Sequence, residues 1–144
     1  MSQEKWAELA LESFDAVVAS IPGFRVREGQ RKMAAQVAQT LAAAQLGKQE
    51  DGAPEPQKSI AVVQAGTGVG KSLAYSAPAI AMALMRGTRV LISTATVALQ
   101  EQLVNKDLPA LAQQMPMPFK FALAKGRGRF VCKLKLERLA SSGE

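Results

Sequence analysis

Eight consecutive residues, Ala65-Gly66-Thr67-Gly68-Val69-Gly70-Lys71-Ser72, combine glycines, a lysine and a hydroxyl in the order that phosphate binding demands. A nucleotide's phosphoryl tail concentrates negative charge. A protein holds it with backbone N–H groups that converge from a tight turn free of bulky side chains. Gly66, Gly68 and Gly70 admit such a turn. Lys71 can place a compact cation on the β and γ phosphates, and Ser72 can offer its hydroxyl to Mg2+. Residues 65–72 are therefore the candidate ATP-binding loop, with Lys71 and Ser72 in the catalytic roles and Ser72 as the magnesium contact. Ala65 stands where the commonest form of the motif carries its first glycine. The bland alternative is a glycine-rich turn that binds nothing. The aliphatic run Ile60-Ala61-Val62-Val63 before the loop and the helical pattern after it weigh against that alternative.

Two further groups of residues could meet a polyanion. Thr94 and Thr96, two residues apart at the end of an aliphatic segment, can grip successive phosphates without reading bases, although threonines at strand ends are common on propensity alone. From Lys120 onward the bases Lys125, Arg127, Arg129, Lys133, Lys135 and Arg138 outnumber the acids Glu137 and Glu144, and Gly126 and Gly128 alternate with the arginines. Such a loop can lie against a phosphate backbone; it can equally be a solvated basic face.

The elements that must position these residues read as an alternating α/β order. Trp6, Leu9, Ala10, Phe14, Val17, Val18 and Ile21 recur at helical spacing up to Pro22-Gly23. A second helix is predicted from about Gln30 with Met33, Val37 and Leu41 on its inner face, then an exposed loop over 47–58. Strands are predicted at 59–64, 89–92 and 119–124. Between them a helix after Lys71 is apolar nearly all round, with a kink at Pro78, and a further helix carries Val97, Leu99, Leu103 and Val104. Asp107 and Pro109 look like the cap and first turn of one more short helix. Strands separated by helices predict a parallel sheet covered on both faces, with ligands at the carboxyl ends of its strands.

Composition bounds the rest. The 144 residues amount to about one domain, with 48% hydrophobic residues, as in an ordinary globular protein. No apolar run approaches the roughly 20 residues that cross a bilayer, and the first residues lack the order of a signal peptide, so a cytoplasmic protein is expected. A single cysteine, Cys132, excludes an intrachain disulfide. The net charge of +6 favours a polyanionic partner without requiring one.

Gln30, the loop at 65–72, Ser-Thr-Ala-Thr-Val-Ala-Leu-Gln-Glu-Gln at 93–102, Lys-Asp-Leu-Pro at 106–109 and Gly-Arg-Gly-Arg-Phe-Val-Cys at 126–132 occur in this order. Together they make the chain resemble the N-terminal part of the XPD-like iron–sulfur DNA helicases of superfamily 2, from about Ile21 to Cys132. Alanine in place of the first loop glycine is shared by many helicase-like ATPases. The resemblance implies a P-loop NTPase (RecA-like) parallel sheet with flanking helices. It implies adenine recognition by Gln30, with Arg27 a neighbour, and a grip on single-stranded DNA by Thr94 and Thr96 with Arg127 and Arg129 nearby. It also implies Cys132 as the first of four ligands of a four-iron four-sulfur cluster. Residues 1–46 would then be N-terminal helices, 47–58 a loop, 59–125 the P-loop core and 126–144 the start of the iron–sulfur region.

Other parts of that machinery are not in this sequence. There is no histidine, no aliphatic strand after Lys71 ends in paired acids, and one thiolate cannot hold a cluster that needs four. The chain is therefore expected to be the N-terminal piece of a longer, monomeric, 5'-3' helicase acting on single-stranded, forked or other structured DNA. The alternative is a non-catalytic nucleotide- or nucleic-acid-binding module.

Overall fold

Ser2 opens the first element: its side-chain oxygen accepts the Lys5 backbone N–H at 3.2 Å and caps α1 (Gln3–Ser20), with Glu4 in the first turn facing the positive end of the helix dipole. The computed structural model describes residues 1–45, 52, 55–66 and 70–142. The expected helical face of α1 is the buried one, through Ala10, Phe14, Val17 and Val18, and the helix stops at Ile21 before the left-handed turn at Gly23.

In α2 (Glu28–Ala43) the inner face differs from the expectation. Gln30, Ala34, Ala38 and Ala42 are buried, while Met33, Val37 and Leu41 lie to the side and only half-buried. The reason is close approach: an alanine ridge at four-residue spacing lets the helix axes come near one another, and the larger side chains then flank the contact. The partner is α3 (Lys71–Arg86), which is buried along Ala74 and 76–82, as the apolar pattern after Lys71 predicts, and runs through Pro78 as one helix. It ends at Gly87, which takes φ +63°, and the Thr88 N–H closes back on the Ala83 carbonyl at 2.9 Å. These three helices share one core with Leu108, Leu111 and Met115.

Arg86 locks the three together. Its guanidinium donates to the carbonyls of Leu41 (3.0 Å), Ala42 (2.8 Å) and Ala44 (2.9 Å), the unsatisfied acceptors at the end of α2, and lies 5.4 Å from the centre of the Trp6 ring on α1. Arg86→Ala is expected to cost about 2–4 kcal/mol, because three carbonyls lose a charged donor at once. Lysine should recover little, since a single ammonium cannot reproduce the planar fork. Thermal denaturation should show a midpoint lowered by roughly 5–10 °C; full recovery by Arg86→Lys would contradict the fork geometry.

After α3 come α4 (Val97–Gln102), a wide π-type turn at Leu103–Asp107 and α5 (Leu108–Gln114), and α6 (Lys133–Ser141) follows a short 3-10 turn. Asp107 does not cap α5 as expected. Its backbone is itself helical and its side chain makes no capping bond, because the helix arrives already wound from the preceding turn. Pro109 does fall in the first turn of α5.

The expected parallel sheet is not formed. Among the described residues there is no strand, and the one isolated bridge is antiparallel, between Gln45 and Gln57, where it pins the two ends of the loop predicted at 47–58. The segments 59–64, 89–92 and 119–124 have the aliphatic content of strands, yet a strand exists only through bonds to a neighbouring strand. Here 89–92 and 119–124 both line a cavity of about 420 Å³ instead of exchanging bonds. Ile60 (84% exposed), Val62 (95%) and Leu91 (89%) face solvent.

Candidate nucleotide and nucleic-acid site

The candidate phosphate loop lies between segment 59–64 and α3, and its described residues are Ala65, Gly66 and 70–72. Gly70 makes the entry into α3 possible: it is the residue before the helix and takes φ +75°, ψ 44°, a left-handed conformation that costs other residues about 1–2 kcal/mol. Its carbonyl accepts the Ala74 N–H at 3.2 Å, so the first turn of α3 is wound from Gly70 itself. Thr67, Gly68 and Val69 lie outside the described residues. Lys71 is exposed, and its Nζ reaches back across the loop to donate to the Ala65 carbonyl at 2.9 Å. The ammonium thus spans the loop from its last residues to its first. Gly66 is open, with nothing within 4 Å of where a Cβ would stand, and Ser72 is half-buried in the first turn of α3. A wide cavity of about 780 Å³ runs beside the arm 60–66 and against Gly29, Lys32 and Gln36 of α2.

Gln30 is placed differently from the adenine-facing position that the resemblance implies. It is 1% exposed, and its Nε2 donates to the Gly70 carbonyl at 3.2 Å. Its Oε1 is buried with no hydrogen-bond partner among the described residues. In this structure the amide therefore supports the loop from beneath. Arg27 is the extended residue just before α2, where its carbonyl accepts the Arg31 N–H at 3.1 Å.

Thr94 and Thr96 form one turn ahead of α4. The Thr94 hydroxyl donates to the Thr96 carbonyl at 3.1 Å, and the Thr96 side-chain oxygen accepts the Leu99 N–H at 3.3 Å as the cap of α4. The Thr96 hydroxyl thereby keeps its proton for a further acceptor, whereas Thr94 would have to turn its proton from the Thr96 carbonyl to reach one. Arg127 and Arg129 lie on the exposed 3-10 turn at Arg127–Arg129, closed by the Phe130 N–H on the Arg127 carbonyl at 3.2 Å. One residue that sequence reasoning left without a role links this turn to α4. Gln100 accepts a hydrogen bond from the Arg129 guanidinium through Oε1, and its Nε2 donates to the Ala124 carbonyl at 3.4 Å. Cys132 is exposed at the start of α6, and no group of three or more His, Cys, Asp or Glu side chains that could hold a metal occurs among the described residues.

Residues 31–127 match the model of the DEAD/DEAH box helicase family. That stretch includes the phosphate loop, Thr94 and Thr96, and it begins one residue after Gln30 and ends before Arg129. The chain is 46% identical over 117 residues to the ATP-dependent DNA helicase DinG of Photobacterium profundum, covering 81% of this chain and 16% of the relative. Against the ATP-dependent DNA helicase DinG of Escherichia coli K12 it is 43% identical over 129 residues, or 90% of this chain and 16% of the relative. The same identity and coverage hold for the protein of that name from Salmonella choleraesuis. The chain thus spans about one sixth of the length of these curated relatives.

Proposed function

Because the chain belongs to the DEAD/DEAH box helicase family, we propose that it supplies the ATP-binding part of the first motor domain of a DinG-like ATP-dependent DNA helicase. The observation that carries this reading is the loop geometry. A left-handed glycine feeds the amino end of a 16-residue helix, and the following lysine turns its ammonium back to the Ala65 carbonyl, ahead of that helix end. When bound, ATP would exchange the Ala65 carbonyl for its own oxygens as the partner of Lys71, with Ser72 turned to Mg2+. Calorimetric titration with Mg-ATP tests it; no heat from a well-folded sample would sink the assignment.

In this reading the segments 59–64, 89–92 and 119–124 become strands of a RecA-like parallel sheet, which the aliphatic content of all three and the one cavity that 89–92 and 119–124 both line support. ATP hydrolysis in the whole enzyme would drive closure of its motor domains and so movement along single-stranded DNA, 5' to 3', with forked and other structured DNA as substrates. Taken alone, these 144 residues contain no histidine and no aliphatic segment after Lys71 that ends in paired acids. That favours a second reading for the isolated chain, a module that holds a nucleotide without turning it over. The sole cysteine does not fit an iron–sulfur cluster within this chain, so Cys132 could serve only beside three thiolates from elsewhere.

The DNA contact should read backbone and not bases. Binding of a single-stranded oligonucleotide should weaken with salt by a log-log slope of about 0.7 per phosphate contact, regardless of sequence. Arg127→Ala should lower that slope by about one contact, whereas Thr94→Ala should weaken binding and leave the slope alone, since a hydroxyl releases no counterion. A slope unmoved by the arginine change, measured by fluorescence anisotropy across a salt series, would remove Arg127 from the surface.

A further inference from the structure

Gln100 stands between the two groups that the nucleic-acid reading uses. It is half-buried on α4, four residues after Thr96, and lines the same cavity as Thr94 and Ala124. Its amide works in both directions at once: Oε1 accepts from the Arg129 guanidinium and Nε2 donates to the Ala124 carbonyl, the last residue before the basic loop. The loop from Lys125 to Arg129 is thereby held at both ends by one side chain. A neutral amide is suited to this task. It satisfies one edge of the arginine without cancelling its charge, so the cation stays available to a phosphate, whereas a carboxylate would neutralise it.

We propose that Gln100 is a positioning residue that fixes the basic loop beside the Thr94–Thr96 turn, so that a single strand of nucleic acid meets one contiguous phosphate-gripping edge. Without it, two independent patches would each pay their own ordering cost. The inference rests on the nucleic-acid reading given above. It differs from that reading in assigning the coupling of the two patches, and not contact with the strand, to Gln100.

The test uses the 144-residue chain and a fluorescein-labelled oligothymidylate of 20 nucleotides. Gln100→Ala should weaken binding by about threefold to tenfold and lower the salt slope by roughly one contact, about 0.7. In an Arg129→Ala background the same change should add less than about twofold, because residues that act as a unit are not additive. Limited trypsin digestion supplies a measurement without DNA: cleavage after Arg127 and Arg129 should be several-fold faster in Gln100→Ala. Gln100→Glu, which keeps an acceptor for Arg129 and loses the donor to the Ala124 carbonyl, should cleave at a rate between those of the wild type and Gln100→Ala while lowering the slope, and it stands in if the alanine variant does not fold. Full additivity of Gln100→Ala with Arg129→Ala, or unchanged cleavage, overturns the proposal while leaving the nucleic-acid reading intact. A wild-type chain that ignores the oligonucleotide overturns both.

Discussion

Gly70→Ala should unfold the phosphate loop and much of what it rests on, at a cost of about 3–5 kcal/mol. Three terms add. The left-handed backbone at φ +75° is strained by about 1–2 kcal/mol once a Cβ is present. That Cβ would press into Gln30, reaching its Cδ at 3.3 Å and its Nε2 closer still. Gln30 is 1% exposed and cannot swing away into water, so its displaced amide would lose its bond to the Gly70 carbonyl and leave a second buried polar atom unpaired, costing about 1–3 kcal/mol more. Chemical denaturation should show the loss directly. The double change Gly70→Ala with Gln30→Ala should recover part of it, because the clash goes while the backbone strain stays. A single mutant as stable as wild type would mean that the loop does not take this conformation in solution.

Lys71→Ala should act on binding with almost no effect on folding. The side chain is exposed, and its one hydrogen bond among the described residues is to the Ala65 carbonyl, which water can replace. A charged hydrogen bond to phosphate contributes about 1.5–3 kcal/mol, so affinity for Mg-ATP should fall about tenfold to a hundredfold. The two variants separate cleanly: Gly70→Ala should shift both the melting curve and the titration, and Lys71→Ala only the titration. If calorimetry gave the same dissociation constant for Lys71→Ala and wild type, the phosphates would have to bind elsewhere.

The helices were legible in the residue pattern because their signals are local. The helical spacing from Trp6 to Ile21, Pro22-Gly23 after it, and the near-continuous apolar run from Leu73 to Met85 each report on neighbours one or two turns away. The junction at Gly70, where a glycine gives way to the helix that opens at Lys71, was legible for the same reason. What was not legible depends on contacts between distant residues. Gln30 meets Gly70 across 40 positions, Arg86 meets Leu41 across 45 and Arg129 meets Gln100 across 29, and no spacing rule in one dimension carries such pairings. The inner face of α2 misled through size: Met33, Val37 and Leu41 outrank alanine in hydrophobicity, but the narrow gap between helices selected Ala34, Ala38 and Ala42. The three aliphatic segments are unpaired among the described residues, because propensity describes a willingness to pair, whereas the pairing itself needs a neighbour at hydrogen-bond distance on each edge.

The Arg86 clamp has a consequence for the order of events during synthesis. α1, α2 and α3 bury one another with no help from a sheet, and Leu108, Leu111 and Met115 complete the core that they share. The pairing of the three helices can therefore begin as soon as Arg86 clears the ribosome exit, before 89–92 or 119–124 has been made, and α5 closes the remaining apolar face afterwards. The nascent polypeptide would emerge with Gly70 already set over Gln30, and the later segments would join a platform still open on its α5 side. Pulse-labelled hydrogen exchange on refolding protein should then find the amides of α1 to α3 protected first.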